Sequence, residues 1–319
     1  MKLIYIISLG HSGSTLLDSI LGTHPDIISS GELFYLNWQI ARTINNKSTV
    51  ENQDICSCLK DFRDCNFWSK VIKSIKLKTG CDIISNPKSF DTSLFNRFSF
   101  NDRGGYKQGK INQYFQKISK ELLISGNYPL NMVYLIYPRL RKQLKNKWIL
   151  YQTMSEVGNK SCIVDSSKDI TEALLLKQYK PNYVIILFLH RNIEGLAASS
   201  KRLAKLNDKS FNIQQVIERK ILFEKRVLRI KNNLQKTDWV DAKYENIVNQ
   251  PASFLDDIAS KLCISSNYQR QQNDHFYIDT SKLHLVAGNP MRYKGIQKVT
   301  NDRGFKKELT DQELTQLKI

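Results

Sequence analysis

Gly10-His11-Ser12-Gly13-Ser14-Thr15-Leu16 is the stretch of this chain whose residue types and spacing point most directly to chemistry. Its two glycines let the backbone turn tightly and approach a ligand closely. Ser12, Ser14 and Thr15 supply hydroxyl donors, and a helix starting behind the loop adds free N–H groups and the positive end of its dipole. Together these make a cradle for a phosphate or a sulfate. The loop departs from the ordinary nucleoside-triphosphate pattern, Gly-x-x-x-x-Gly-Lys-Ser/Thr, because no lysine follows Gly13. A strand-to-helix turn that is merely rich in glycine and serine is the alternative at this point.

A strand must enter such a loop and a helix must leave it, and the flanking residues suit both. Leu3 to Leu9 is an apolar, β-branched run fit for a strand buried on both faces, and Leu16, Leu17, Ile20 and Leu21 repeat at helical spacing. The pattern recurs. Asp26 to Ser30 reads as a short strand ending at Gly31-Glu32, and Cys162 to Asp165 as a buried strand running into Ser166-Ser167-Lys168. Tyr183 to His190 is the strongest strand signal and ends at Arg191, and Trp239 to Tyr244 is a fifth candidate. Helices are predicted over 111–123 and 133–154, after Lys168 through Leu176, after Arg191 through Ser199, over 211–234 and from Pro251 onward.

Strands alternating with helices predict a three-layer α/β fold around a central, mainly parallel sheet of about five strands. In such sheets ligands bind beyond the carboxyl ends of the strands. The loop at 10–16, Glu32, Ser166 to Lys168 and Arg191 all fall there, and this convergence weighs more than any one motif. The polar stretch 45–109 reads as an insertion that covers the site, helical around Phe67 to Ile75 and turning at Arg103-Gly104-Gly105-Tyr106-Lys107. One domain over 1–319 is expected.

Composition narrows the classes. Hydrophobic residues at 41% and charged residues at 24% are those of a globular protein, without an apolar run long enough to cross a membrane. The apolar start lacks the small-residue cleavage site of a secretory signal, so the cytoplasm is the expected compartment. Lys and Arg at 48 against Asp and Glu at 30 give +18, which favours anionic partners. These charges are scattered and no nucleic-acid motif accompanies them, so nucleic acid is not expected.

Six cysteines form no simple framework: Cys56, Cys58 and Cys65 cluster, whereas Cys81, Cys162 and Cys263 lie apart. A zinc site would need Cys81 or a histidine as its fourth ligand. A disulfide within Cys56 to Cys81 is a second arrangement, and reduced thiols are the expectation in a reducing compartment. His190, His275 and His284 have no companion ligands at metal spacing along the chain and read as structural.

Taken in order, these residues resemble sulfotransferases that use 3′-phosphoadenosine-5′-phosphosulfate (PAPS), with gaps, from Ile4 to about Arg292. The family's 5′-phosphosulfate loop resembles Gly10 to Leu17, and its 3′-phosphate signature resembles the strand ending at His190-Arg191 with Ser199 eight residues later. Gly31-Glu32, Asp165 to Lys168, Lys243-Tyr244-Glu245 and Gly288 to Tyr293 resemble blocks of a bacterial branch, as does Cys56-x-Cys58 followed by Cys65-Asn66-Phe67-Trp68. The resemblance implies a P-loop-like sulfotransferase fold and transfer of a sulfuryl group from PAPS to an acceptor. That acceptor is a small molecule, glycan or peptide reacting through a hydroxyl, less readily an amine, and PAP is the second product.

It also assigns roles. Gly10, His11, Ser12, Gly13, Ser14, Thr15 and Leu16 would hold the phosphosulfate, Arg191 and Ser199 the 3′-phosphate, with Tyr244 at the nucleotide and Arg292 at the 3′-phosphate or adenine. Sulfuryl transfer needs removal of the acceptor proton, in-line placement, and neutralisation of charge on the departing oxygen. Glu32 is the candidate base, by likeness to a glutamate of Golgi-type members, and Lys168 the candidate partner of the departing oxygen. His11 stands where the family usually carries arginine or lysine; it could act as the acid or base itself, and donation to the sulfonate in the transition state is the preferred role. No metal is required by this chemistry. A nucleotide-dependent kinase or NTPase, and a non-catalytic polyanion-binding protein, are the other readings. The first lacks the loop lysine, and only the net charge supports the second.

Overall fold

β1 (Lys2–Ile7) is buried from Leu3 onward, and its side chains alternate between two cores. Leu3, Tyr5 and Ile7 enter one, and Ile4 and Ile6 enter the other. A continuous apolar run is what a strand shows when both faces of its sheet are covered. In the computed structural model, which describes residues 1–44, 54–95, 110–125, 129–264, 276–300 and 305–317, helices supply that cover.

β1 is followed by α1 (Ser14–Leu21), β2 (Ile27–Ser29) and α2 (Leu36–Ile44). Next come α3 (Trp68–Thr79), α4 (Lys110–Ser125), α5 (Leu130–Ile136) and α6 (Arg139–Gly158), leading to β3 (Cys162–Lys168). After α7 (Ile170–Tyr179) comes β4 (Val184–His190), and after α8 (Ile193–Leu206) and α9 (Ile213–Lys231) comes β5 (Trp239–Lys243). α10 (Tyr244–Asn249) and α11 (Pro251–Leu262) follow. The strands lie in the order β2-β3-β1-β4-β5 and every pairing is parallel. α1, α10 and α11 pack on one face, and α3, α6 and α7 on the other. The expected three-layer α/β arrangement with five parallel strands is what forms.

Three local expectations change. The helix predicted over 133–154 is broken into α5 and α6 at Tyr137-Pro138, where proline holds Tyr137 out of helical geometry at φ −134°, ψ 76°. A small antiparallel pair, β6 (Tyr277–Asp279) and β7 (Ile296–Lys298), lies outside the main sheet; each is too short to show periodicity. The described part of the expected insertion, 54–95, sinks Phe62, Trp68, Val71, Ile75 and Phe90 into the same core as Leu3 and Tyr5. That part builds a layer of the fold. The turn expected at 103–107 lies outside what is described.

β3 carries the irregularity that matters most to the site. Tyr5 pairs with Asp165 but Ile7 pairs with Lys168, so β3 has one residue more than β1 over this step. Such a bulge re-aims the side chains that follow it. Lys168 sits beyond it in the left-handed region, at φ 69°. Beneath the bulge, fully buried Lys147 from α6 meets Asp165 at 3.2 Å and Glu172 of α7 at 2.8 Å. The Tyr151 hydroxyl donates to Asp165 at 2.7 Å, and the Ser167 N–H donates to the other oxygen of Asp165 at 2.9 Å. A charge taken out of water needs such partners. Burial alone would lower the Lys147 ammonium, but the two carboxylates overcome it and raise it; burial pushes Glu172 up to about 7 despite Lys147.

Candidate active site

The loop between β1 and α1 has two residues in the left-handed region, His11 at φ 67° and Gly13 at φ 90°. Left-handed and right-handed residues in succession turn neighbouring N–H groups to one side, which makes an anion-binding concavity. Gly13 is required for a second reason, since a Cβ there would lie 2.4 Å from the Tyr244 ring. The first helical bond of α1 runs from Leu17 N–H to Gly13 carbonyl at 3.0 Å. The N–H groups of Ser14, Thr15 and Leu16 therefore stand at the positive end of the helix.

Those residues open on a cleft of about 870 Å³ at the carboxyl ends of the strands. Of the site residues expected from sequence, Gly10, His11, Gly13, Ser14, Thr15, Leu16, Glu32, Lys168, Arg191, Ser199 and Tyr244 all line it. Ser12 does not: it is 2% exposed and lies behind the loop beside Phe188 and Leu196.

Arg191, just past the end of β4, straps the loop. Its Nη1 donates to the His11 carbonyl at 2.7 Å, and its guanidinium carbon lies 4.4 Å from the centre of the Tyr244 ring. Asn192 caps α8 by accepting from Gly195 N–H at 2.9 Å, and Ser199 follows two turns along that helix. Gly195 leaves room for this arrangement, as a Cβ there would lie 2.7 Å from Arg191 Nε. Arg191 thus stands where the loop meets the start of α8, and both it and Ser199 line the cleft.

Glu32 lies across the cleft, its Oε1 ion-paired with Lys168 Nζ. Gly31, at φ 72°, passes so close to the 285–287 segment that a Cβ would lie 2.6 Å from the Ala287 carbonyl oxygen. Its N–H donates to Asp18 Oδ2 at 2.9 Å. Asp18 is a residue that sequence reading missed. Fully buried in α1, it also accepts from Ser166 Oγ at 2.7 Å and Ser29 Oγ at 2.5 Å, and so ties β2, β3 and the approach to Glu32 together. Burial pushes the Asp18 carboxyl up to about 7 against the opposing effect of these three donors. Burial, reinforced by Lys168 and Arg191, lowers His11 despite Glu32, so at pH 7 the imidazole is neutral.

Arg292, expected at the 3′-phosphate or adenine, does not line the cleft; it is 1% exposed, with Nη1 donating to the Gly288 carbonyl at 2.9 Å and Nη2 to the Tyr293 hydroxyl. It braces the 288–293 turn from inside. That turn reaches the loop, where Asn289 N–H donates to Thr15 Oγ1 at 2.9 Å. Asn289, Lys294, Lys298 and Arg202 line the cleft without having been expected there. Gly288-Asn289-Pro290 was the available signal, since Gly288 at φ 130° lies against Thr15.

The histidines divide. His190 faces Asp241 at 3.3 Å on the surface, and His275 lies outside the described residues. His284, read as having no companions, has three: Cys56, Cys58 and Cys65. All six cysteines are free, so no disulfide forms within the stretch from Cys56 to Cys81.

No protein-family model matches this chain, and no curated protein matches it. Among solved structures it is similar to the sulfotransferase domain of the Synechococcus PCC 7002 olefin synthase, at 14% identity and TM-score 0.40, over 97% of this chain and 83% of that one. It is similar to the sulfotransferase domain of the curacin biosynthetic pathway, at 15% identity and TM-score 0.43, over 99% and 95%. A third likeness is to sulfotransferase STF1 from Mycobacterium tuberculosis H37Rv, at 12% identity and TM-score 0.38, over 83% and 68%. Among the described residues no helix is long and apolar enough to cross a membrane.

Proposed function

We propose that the chain, acting as one catalytic domain, transfers a sulfuryl group from PAPS to an acceptor hydroxyl. One observation supports the reading: the loop residues Gly10, His11 and Gly13 to Leu16 line one cleft with Arg191 and Ser199, and the Glu32–Lys168 pair lines it too, which gives two groups of anion donors beside a carboxylate and an ammonium. A triphosphate needs one continuous cradle and a lysine in the loop; a nucleotide with phosphates at both ends of its ribose needs two. The cleft also fits by size, within the roughly 300–1,000 Å³ usual for ligand pockets, and a Cβ at Gly10 would meet nothing within 4 Å.

PAPS, when bound, supplies a sulfuryl group on a leaving phosphate, and the protein's own groups do the rest. The N–H groups of Ser14, Thr15 and Leu16 hold the 5′ end, and Arg191 with Ser199 holds the 3′-phosphate. Glu32 takes the acceptor proton as the oxygen–sulfur bond forms and the bridging bond breaks. Its ion pair with Lys168 engages one carboxylate oxygen and leaves the other to reach the acceptor. Lys168 then offsets charge on the departing oxygen, and neutral His11 donates one N–H to the sulfonate.

Thermal shift and calorimetry with PAP and with ATP–Mg²⁺, followed by transfer of labelled sulfate from PAPS to a panel of hydroxyl acceptors, test this reading. Stabilisation by PAP together with transfer to an acceptor is expected. Stabilisation by ATP–Mg²⁺ alone would overturn the proposal.

A further inference from the structure

Cys56, Cys58, Cys65 and His284 bring one ligand atom each to a common point, all within 4.8 Å of one another. Cys65 Sγ lies 3.6 Å from Cys56 Sγ and 3.3 Å from His284 Nδ1, and Cys56 Sγ lies 3.7 Å from the same nitrogen. These separations are far from a disulfide, whose sulfurs are about 2.05 Å apart. These three separations agree with edges of a tetrahedron, which are about 3.8 Å between sulfurs and about 3.5 Å between sulfur and nitrogen for zinc–sulfur bonds of about 2.3 Å and zinc–nitrogen bonds of about 2.0–2.1 Å, and Cys58 lies within the 4.8 Å that encloses the group. We infer that these four residues bind a zinc ion in a closed, structural Cys₃His site.

The surroundings are those of a held ligand set. The Phe67 ring stacks on the His284 ring at 5.1 Å and 9°, fixing its plane. Trp68 Nε1 donates to the His284 carbonyl at 2.8 Å. The Cys56–Cys58 turn is closed by Leu59 N–H to Cys56 carbonyl at 2.9 Å and Cys56 N–H to Lys60 carbonyl at 3.1 Å, with Leu59 at φ 62°. Between the two thiols, Ser57 N–H donates to the Leu285 carbonyl at 3.2 Å, and Ser57 Oγ accepts from Leu285 N–H at 3.0 Å. Such outer contacts orient metal ligands.

Three thiolates and an imidazole in tetrahedral array select zinc by softness and geometry. Four protein ligands leave no open position, and none of the four lines the cleft, so the ion is structural. Its position says what it holds. Three ligands come from the 56–65 stretch and the fourth from the segment that runs on through Val286, bonded to the Ser30 carbonyl at 3.0 Å, to Asn289 at Thr15. Tyr293 adds a bond to the Ile55 carbonyl at 3.1 Å. The metal therefore clips the segment that braces both the loop and the turn before Glu32.

Elemental analysis of the full chain, purified without chelator and with zinc in the growth medium, tests the site. About one zinc per chain is expected, retained in Cys81→Ser and Cys263→Ser and lost in Cys65→Ser and His284→Ala. His284→Cys keeps the metal, because a four-cysteine set also suits zinc, so loss in the alanine variant is not ascribed to misfolding alone. Cobalt exchanged into the wild-type protein should give the intense absorption of tetrahedral thiolate coordination. Less than about a fifth of an equivalent in the zinc-supplied wild type, or a disulfide among Cys56, Cys58 and Cys65 by mass mapping, would overturn the inference.

Discussion

Two roles are proposed to meet at Arg191. Its Nη1 straps the His11 carbonyl, and its charge offers a fork to a phosphate. Arg191→Ala removes both and is expected to weaken PAP binding by about 100-fold or more, since a charge-assisted pair is worth roughly 1.5–3 kcal/mol and the loop loses its strap; unchanged affinity by calorimetry would remove Arg191 from the nucleotide site. Glu32→Gln should leave PAP affinity intact while turnover falls by about 10²-fold or more. Equal loss in both would make Glu32 a binding group.

Asp18 gives a pH signature with a definite sign. Unfolded, its carboxyl titrates near 3.8; folded, near 7. Between these values the folded chain holds a proton that the unfolded chain has released, so this contribution to stability is present below 3.8, shrinks from there upward and is lost as pH rises through 7. Asp18→Asn removes it. The melting temperature of the wild type relative to the variant should therefore fall between pH 4 and pH 8, and a flat difference would contradict the buried-carboxyl assignment. Nothing in the sequence marked Asp18, because a lone acid in an apolar helix reads as a surface position until its three donors from other elements are seen.

Among the elements, β3 and the helices that hold its end decide where Lys168 points. The bulge opposite Tyr5 to Ile7 is built over the buried Lys147, Asp165 and Glu172 group. Lys147→Met would leave two buried carboxylates without their cation, at a cost of about 3–5 kcal/mol in denaturant unfolding. It should also lower turnover by displacing Lys168. Lysine at the end of a strand was visible in Asp165-Ser166-Ser167-Lys168, but the bulge was not, since one extra residue in a parallel pair leaves no mark in periodicity. Arg292 was placed at the nucleotide by the likeness of Gly288 to Tyr293 to a family block, and its bonds to Gly288 and Tyr293 inside the turn leave no mark in that likeness.

For the molecule as a whole, the sheet was the legible part. β1, β2, β3 and β4 each contain a short apolar run that leads to a polar group, and the rule that parallel strands present ligands at their carboxyl ends then grouped the loop, Glu32, Lys168 and Arg191 without coordinates. What stayed hidden depends on residues far apart in the chain. His284 and Cys65 are separated by 219 positions, and Asn289 and Thr15 by 274, distances over which spacing carries no signal. The stretch 54–95 looked like an insertion because it is polar on average; its few large apolar residues are nevertheless the ones that fill the core.

The place of β1 bears on how the chain is made. It is the central strand, and both of its neighbours, β3 and β4, are synthesised long after it, with Cys162 following Ile7 by about 155 residues. At roughly 5–20 residues per second, this apolar ribbon waits on the order of ten to thirty seconds with both edges unpaired. A nascent chain in that state is a substrate for chaperones and a seed for aggregation. Fragments of the chain ending before Val184 should accumulate in the insoluble fraction, and those extending past His190 should begin to escape it.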